Sequence, residues 1–359
     1  MAAGPNWPAR LGRSLPCWAV AAAMGALADR AGMPLAWVLG PLVAAAGFAI
    51  AGRQPFAPVE ARRGGQLIVG CAVGLNLTPD AALKLIVWLP GMIFTAVLSI
   101  FLAALLSIAV ARYGRVDIRT AYFALLPGGL SEMANVGGKF GAQSEAVSLS
   151  HALRVALAVL IVPPLVLLID DRIDLASGPI RATLDWHALL VLGGAAAIGA
   201  MALRLVNFAN PWMLGALAAA GLLAGSGMIE GRLPPPLLWA GQFFIGLAIG
   251  SRFRGSILRR LPRFGFVSSI GTILLGLLMA GYAWFLRMAG ASDFESLILA
   301  VSPGGFAEMT LTAQALHLDV ALVTGFHFVR AFAVNSLAAP AWVRLERLHL
   351  FSNKSEGDR

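Results

Sequence analysis

Long apolar runs without charge constrain this sequence more than any other feature. The run from Val87 to Ala111 has no charged side chain, and a stretch of this length is sufficient to cross the hydrocarbon core of a bilayer as a helix. Several such runs occur. The composition agrees with them, because 58% of the residues are hydrophobic and 13% are charged, whereas a soluble domain has about a quarter of its residues charged. The sequence therefore predicts an all-α polytopic membrane protein embedded in a lipid bilayer.

A repeat with an offset of 176 residues runs through the chain. We interpret the chain as two homologous membrane repeats, residues 11–170 and 182–350, joined by the acidic stretch Asp170–Asp185. The repeated segments are PGGLSEMA (127–134) and PGGFAEMT (303–310), GQLIVGCAVG (65–74) and GQFFIGLAIG (241–250), and the paired residues include His151 and His327, Arg154 and Arg330, and Gln66 and Gln242.

Each half predicts the same succession of five spanning helices and one broken segment. Pro lacks a backbone donor and Gly disfavours helical order, so Pro-Gly-Gly divides the segments 118–140 and 293–316. Each arm has about ten residues and a length of only ~15 Å, which reaches the bilayer midplane but does not cross it. The predicted spanning helices are 14–30, 34–51, 63–77, 82–111 and 145–169 in the first half, and 185–205, 210–228, 238–252, 265–288 and 319–344 in the second.

Loop charges favour a broken segment that turns back over one that crosses. If it crossed, the basic cluster Arg252–Arg263 would lie on the outer side, against the positive-inside rule. If it turns back, the basic loops lie in the cytoplasm and the stretch Asp170–Asp185 lies outside. We therefore predict ten spanning helices, two re-entrant hairpins, inverted repeats and both termini on the cytoplasmic side of a bacterial inner membrane. A discontinuous helix that crosses the membrane remains an alternative if another helix, such as the short third one, does not span it.

The repeated motif places a carboxylate beside each break. In inverted-repeat transporters, broken helices of both halves meet near the midplane and their freed backbone groups form the substrate site. A carboxylate in the first turn after a break can also cap the helix. An ionised group at that depth is costly and usually functional, which favours a binding role. The candidate substrate- or ion-binding residues at the breaks are Gly128, Gly129, Glu132, Asn135, Gly304, Gly305 and Glu308.

The last helix of each half carries a histidine and an arginine one turn apart. His151 and Arg154, like His327 and Arg330, share a helix face at this spacing. If that face meets the hairpin, each arginine can pair with the glutamate of its own half. Such a pair is either an internal brace or part of a proton- or anion-binding site.

Two glutamines complete the candidate set. Gln66 and Gln242 open the third helix of each half, where they either cross-link helices or line the site. The Gly-x-x-x-Gly pattern that follows each glutamine predicts close approach of membrane helices.

These motifs resemble those of the AbrB-type membrane protein family. The resemblance rests on Pro-Gly-Gly-x-x-Glu-Met in both halves, on Trp-x-Leu-Gly at Trp37–Gly40 and Trp212–Gly215, and on the paired Gly-Gln-x-x-x-Gly helices. It covers nearly the whole chain and implies a duplicated membrane domain. Members are labelled ammonia monooxygenase or regulator of gene expression, and the family is grouped more distantly with secondary transporters of the cation/proton antiporter and bile-acid symporter kind.

The residues disfavour the enzymatic label. A copper or iron site requires clustered ligands, and only His151 and His327 are predicted inside the membrane, one in each half. We expect no enzymatic activity, no metal and no cofactor. We also expect no nucleic-acid partner, because no soluble segment is long enough for a DNA-binding domain. Two hypotheses remain: a secondary transporter of a small solute coupled to protons or cations, with any effect on gene expression indirect, and a membrane sensor without flux. A homodimer is an open alternative.

Overall fold

A computed structural model describes residues 7–77, 79–169, 182–206, 208 and 210–347, with backbone only for 7–11, 79–82 and 131. This part of the chain forms fifteen helices and no strand beyond one isolated bridge between Thr183 and Arg232. The all-α prediction is confirmed. The helices are α1 (Trp7–Arg30), α2 (Ala36–Ile50), α3 (Val59–Gly74), α4 (Pro79–Gly114), α5 (Ile118–Leu125), α6 (Leu130–Lys139), α7 (Ser144–Ile169), α8 (Trp186–Leu205), α9 (Pro211–Gly225), α10 (Pro235–Gly250), α11 (Gly255–Arg260), α12 (Pro262–Met288), α13 (Phe294–Val301), α14 (Phe306–Ala315) and α15 (Val320–Arg347).

Five helices are long and apolar enough to cross a membrane. They are Leu83–Gly114 within α4, then α7, α8, α12 and α15. Helices α2 and α9 have 15 residues and α3 and α10 have 16, or roughly 23 Å at 1.5 Å per residue, whereas a hydrocarbon core is about 30 Å thick. The described residues therefore support a multi-pass membrane protein, and the count of ten spans stays a prediction. Residues 170–181 of the acidic linker lie outside the described part.

The helices group into two compact units, and each unit takes helices from both sequence halves. The described residues of the first lie within 1–79, 173–258 and 314–317, and those of the second lie within 80–172, 259–313 and 318–359. The repeat boundaries 11–170 and 182–350 stay a prediction.

Close helix contacts at glycine hold the first unit together. A Cβ on Gly40 of α2 would lie 2.6 Å from the Cα of Gly25 in α1, and one on Gly215 of α9 would lie 2.5 Å from the Cα of Ala200 in α8. Real Cβ atoms essentially never approach other atoms this closely. Glycine at the end of each Trp-x-Leu-Gly motif is therefore what lets these backbones touch.

The Gly-x-x-x-Gly patterns serve the same purpose. Gly70 and Gly74 of α3 face α9, and Gly246 and Gly250 of α10 face α2, each so close that a methyl group would overlap a backbone carbonyl. The prediction of close packing by these glycines is confirmed.

The broken segments of the second unit fold back as hairpins. Helix α5 starts at the N-cap Asp117, whose Oδ1 accepts from the backbone N–H of Thr120 at 2.8 Å. The Thr120 hydroxyl in turn accepts from the backbone N–H of Gln143, just beyond α6, at 2.8 Å. The start of α5 and the end of α6 therefore lie side by side.

The second hairpin repeats this closure. Its first helix, α13, is capped by Asp293, and the hydroxyl of Ser296 accepts from the backbone N–H of Asp319 at 2.9 Å. Asp319 follows α14 and directly precedes α15. A segment that crossed the bilayer would hold these ends apart by the length of both arms, so the geometry agrees with a segment that turns back, and its path relative to the membrane stays a prediction.

Candidate functional site

The two glycines of each Pro-Gly-Gly break have different roles. A Cβ on Gly128 would lie 2.8 Å from Cγ of Met133, and one on Gly304 would lie 2.7 Å from Cγ of Met309. The first glycine therefore makes room for the methionine that ends the motif. The methionine side chain then fills the inside of the turn, since Met133 and Met309 are both fully buried.

The second glycine makes room for the glutamate. A Cβ on Gly129 would lie 2.8 Å from Cδ of Glu132, and one on Gly305 would lie 2.9 Å from Cδ of Glu308. Gly129 is the N-cap of α6, so the carboxylate three residues later folds back over the start of its own helix. There it faces the positive end of the helix dipole. The spacing of the motif thus has a physical cause at each position.

In the first half, helix α7 satisfies the carbonyl groups that the break leaves without helical partners. Arg154 donates from Nη1 to the carbonyl of Leu126 at 2.6 Å and from Nη2 to that of Gly128 at 2.7 Å. One turn earlier, His151 Nε2 lies 3.0 Å from the carbonyl oxygen of Phe123. The buried guanidinium therefore faces the negative end of α5.

Helix α15 repeats these contacts in the second half. Arg330 donates to the carbonyl groups of Ser302 and of Gly304, the latter at 2.9 Å. His327 Nε2 lies 2.9 Å from the carbonyl oxygen of Leu299, and Arg330 Nη2 lies 2.7 Å from His327 Nδ1. The carbonyl of Leu299 can only accept, so Nε2 of His327 carries a proton, and the guanidinium of Arg330 can only donate, so Nδ1 carries none. His327 is therefore neutral.

The arginines do not make the pairs expected from the sequence. The terminal nitrogens of each guanidinium donate hydrogen bonds to backbone carbonyls. Among the described residues no ion pair joins Arg154 to Glu132 or Arg330 to Glu308. The break itself is the better acceptor, since its carbonyls have no helical donor and lie at the negative helix end.

The electrostatic contacts instead cross between the halves. Arg154 is within the range of the negative charge of Glu308, and Arg330 is within the range of the positive charge of Arg154. Both Pro-Gly-Gly breaks lie in the second unit. A Cβ on Gly128 would also lie 2.9 Å from Cγ1 of Val334, one turn beyond Arg330 in α15. The structure therefore brings the charged residues of both breaks together.

Helix α12 lies beside both breaks. A Cβ on its Gly271 would lie 3.2 Å from Leu125, the last residue of α5, and one on Gly276 would lie 3.7 Å from Pro303 of the second break. The site is thus formed by two hairpin tips, α7, α12 and α15.

The two halves of the site differ in exposure. Glu308 is 7% exposed, whereas Glu132 is half-buried and Asn135 is exposed. Both arginines and both histidines are at most 4% exposed. The second half therefore contributes the more deeply buried carboxylate, an asymmetry that the repeat alone does not predict.

Gln66 and Gln242 belong to the first unit rather than to the unit that holds the breaks. Gln66 donates from Nε2 to Oδ1 of Asn210 at 2.9 Å, next to the start of α9. Gln242 is buried in α10. For Gln66 the structure gives a cross-link between helices, one of the two roles expected from the sequence.

Several hydroxyl groups at the hairpins were not singled out from the sequence. Thr120 and Ser296 close the hairpins, and Ser150 donates to the carbonyl of Ala124 at 3.0 Å. Thr120 and Ser296 share the 176-residue offset, which was the available signal. Among the described residues no group of three or more His, Cys, Asp and Glu side chains could hold a metal ion.

Comparisons with known proteins extend over most of the chain. A family model described as "Transition state regulatory protein AbrB" matches residues 37–346. A Bacillus subtilis (strain 168) protein named "Uncharacterized protein YhjN" is 30% identical over 363 residues and covers 92% of both chains. An Escherichia coli (strain K12) protein named "Putative regulator AbrB" is 28% identical over 323 residues, which cover 87% of this chain and 90% of that relative. The resemblance indicated by the motifs is confirmed, and the chain belongs to the AbrB family.

Proposed function

We propose that this protein is a secondary transporter that moves a small solute across the membrane, coupled to protons or cations. The observation that carries the proposal is the meeting of two broken hairpins with buried charges, Arg154 and Glu308, that come from opposite halves. Irregular backbone at membrane depth is tolerated only where protein or a water-filled cavity surrounds it. In secondary transporters, two such segments that meet beside buried charged residues form the substrate site.

The finer architecture belongs to the same proposal. With hairpins that turn back, an odd number of spans in each half makes the two repeats inverted. The basic loops then lie in the cytoplasm together with both termini. The membrane is the bacterial inner membrane, and the first and second repeats are residues 11–170 and 182–350. The protein is not an enzyme in this proposal, and it has no nucleic-acid partner.

The second candidate function is a membrane sensor that binds a ligand or partner without moving it. The name of the Escherichia coli relative, a regulator, favours it. The same charged breaks would then hold a ligand, and expression would change through a partner. Transport remains our first proposal because regulation also follows indirectly when a transporter changes the concentration of a metabolite.

Flux in proteoliposomes tests the proposal. The purified protein is reconstituted with a pH-sensitive dye inside the vesicles, and a panel of small organic anions, amines and inorganic cations is added outside. We expect at least one compound to drive a change in internal pH or charge, and Glu308→Gln to abolish it. Glu145→Gln, a matched change at an exposed position in the first turn of α7, should leave the flux intact.

One outcome contradicts transport, and another contradicts the role of the charges. A compound that stabilises the purified protein but drives no flux in any gradient favours the sensor. Equal flux in the wild type and in Glu308→Gln removes the charge set from the mechanism.

A further inference from the structure

The buried charges at the two breaks do not balance. Arg154, Arg330 and Glu308 are 3%, 4% and 7% exposed, and His327 is neutral because its Nδ1 accepts a hydrogen bond from Arg330. Two buried cations therefore face one buried anion, while the other carboxylate of the breaks, Glu132, is only half-buried. Removing an unpaired charge from water is costly unless it is compensated.

The charges that act on the two arginines differ in sign. Its negative charge acts on Arg154, whereas the charged neighbour that acts on Arg330 is the positive Arg154. Within the described residues no carboxylate lies within 4 Å of either arginine, so the two differ only in the sign of the more distant charge that acts on them. The two carbonyl groups bound by Arg330 supply only the partial negative charge of a helix end, equivalent to about half an elementary charge. A net positive charge remains at the second break.

Unused hydrogen-bond donors lie at the same place. Nε of Arg330 is buried and has no hydrogen-bond partner in the described part of the chain, and neither does Oγ of Ser302, which is 5% exposed. Arg330 already binds the carbonyl group of Ser302, so both donors belong to the same break. Buried donors of this kind normally have a partner, and the partner that would also neutralise the charge is an oxyanion.

The first break lacks this combination. Leu126 stands where the second break has Ser302, and Arg154 has Glu308 within electrostatic range. Nε of Arg154 also has no hydrogen-bond partner in the described part of the chain, so what distinguishes the second break is the additional hydroxyl donor of Ser302 and an arginine on which no negative charge acts.

We propose that the second break, through Arg330 and Ser302, binds an oxyanion group, a carboxylate or a phosphate, of the transported solute. That the bound solute is transported rests on the proposed function, whereas the binding site itself rests on the buried charges and donors of the second break. It makes small organic anions the substrate class in place of amines. Glu308 then keeps Arg154 neutralised while the ligand neutralises Arg330.

Binding is measured with lipid-free protein in detergent at constant ionic strength, by the shift in thermal unfolding. The anionic probes are acetate, succinate and inorganic phosphate, and the cationic probes are ethylammonium and choline. A ligand that binds the folded state raises the apparent melting temperature, and the stabilisation grows with the logarithm of the ratio of its concentration to its dissociation constant. We expect one or more anions, and neither cation, to do so.

Ser302→Ala is the decisive variant. The hydroxyl makes no hydrogen bond in the described structure, so its removal should leave the stability of the unliganded protein unchanged. It should weaken anion binding by about tenfold, the effect of losing one hydrogen bond to a charged group. Arg330→Lys keeps the charge but loses the planar fork and should weaken binding at least as much. Ser107→Ala, at a buried serine of α4 that bonds to its own helix, is the matched control.

The outcomes distinguish a free anion from a lipid headgroup as the ligand, and they distinguish failure of the oxyanion site from failure of the transport proposal. Stabilisation by phosphatidylglycerol added to the detergent micelles that Ser302→Ala weakens, without any effect of the free anions, supports the oxyanion site with a lipid headgroup as its source. Anion binding without flux leaves the site intact and contradicts transport. Flux driven by amines, or anion binding that neither Ser302→Ala nor Arg330→Lys weakens, overturns the oxyanion site and leaves transport untouched.

Discussion

The variant Gly305→Ala moves the carboxylate of Glu308 without altering its chemistry. The new Cβ would lie 2.9 Å from Cδ of Glu308, whereas ordinary contacts begin at 3.4 Å, so the carboxyl carbon must move by at least the difference, 0.5 Å. Its oxygen Oε2 is closer still. The obstructing atoms are the end of a flexible side chain, so the side chain rotates away and the backbone stays in place.

The expected cost in stability is small. A carboxylate near a helix N-terminus contributes about 0.3–1 kcal/mol, and up to about 2 kcal/mol when partly buried. Replacing Gly by Ala at an unstrained position restores about 0.4–1 kcal/mol through the unfolded state. The equivalent Gly129 has φ −69° and ψ 141°, which alanine adopts readily. We therefore expect the free energy of unfolding to fall by about 1 kcal/mol or less.

The expected effect on function is large. The displaced carboxylate opposes Arg154 less well. No carboxylate oxygen lies within 4 Å of Arg154 among the described residues, so the interaction with Glu308 is worth less than about 4 kcal/mol at an effective dielectric of 20. Even a third of this energy corresponds to a factor of about ten in an equilibrium. We expect solute-driven flux in proteoliposomes to fall at least that far.

Two further variants complete the experiment. Glu308→Gln removes the charge without adding a methyl group, and Gly281→Ala adds a methyl group in α12 where nothing lies within 4 Å. Thermal unfolding in detergent and flux are measured for all three. Wild-type flux in Gly305→Ala, or a loss of stability as large as that expected for an unpaired buried charge, would refute the reasoning, because the glutamate would then be a structural cap.

Three other predictions concern stability and are measured by unfolding in detergent. Gly40→Ala should lower the free energy of unfolding by about 3 kcal/mol, the upper end for overpacking, because the new methyl group meets the backbone of a neighbouring helix. The control Gly47→Ala in the same helix meets nothing within 4 Å and should be neutral or stabilising by up to about 1 kcal/mol. Equal effects of the two variants would contradict the packing. Arg154→Ala should cost about 3 kcal/mol or more because two buried carbonyls lose charged donors, and a loss under about 1 kcal/mol would mean that water replaces the guanidinium. Thr120→Val should cost about 1–2 kcal/mol and increase amide exchange at Gln143, whose N–H it leaves without an acceptor; unchanged exchange would show that the hairpin closes without this bond.

The broken hairpins could be predicted because local chemistry determines them. Pro and Gly-Gly interrupt a helix wherever they stand in it, and the loop charges indicated that the segments turn back. The Gly-x-x-x-Gly contacts were equally accessible, because only glycine lets helix backbones approach so closely. In each case the residues that carry the signal also form the contact.

The partners of the arginines could not be predicted in the same way. The repeat identified Arg154 and Arg330, and their spacing placed them on a face with a histidine. Their acceptors are backbone carbonyls that are free only because the helix ends at the break, and the sequence does not mark a free carbonyl. The glutamates were the visible acceptors, but each folds over its own helix start.

An arginine anchors each hairpin tip through a backbone carbonyl oxygen, and this affects which substitutions the two halves can accept. A carbonyl group is present whichever amino acid occupies the position, so Leu126 and Ser302 offer the same acceptor to Arg154 and Arg330. A mutation at either position alters the chemistry of the break but leaves its anchor in place. After a duplication, one copy could therefore acquire a new ligand preference while the other kept the old, and protein engineers can vary these two positions in the same way.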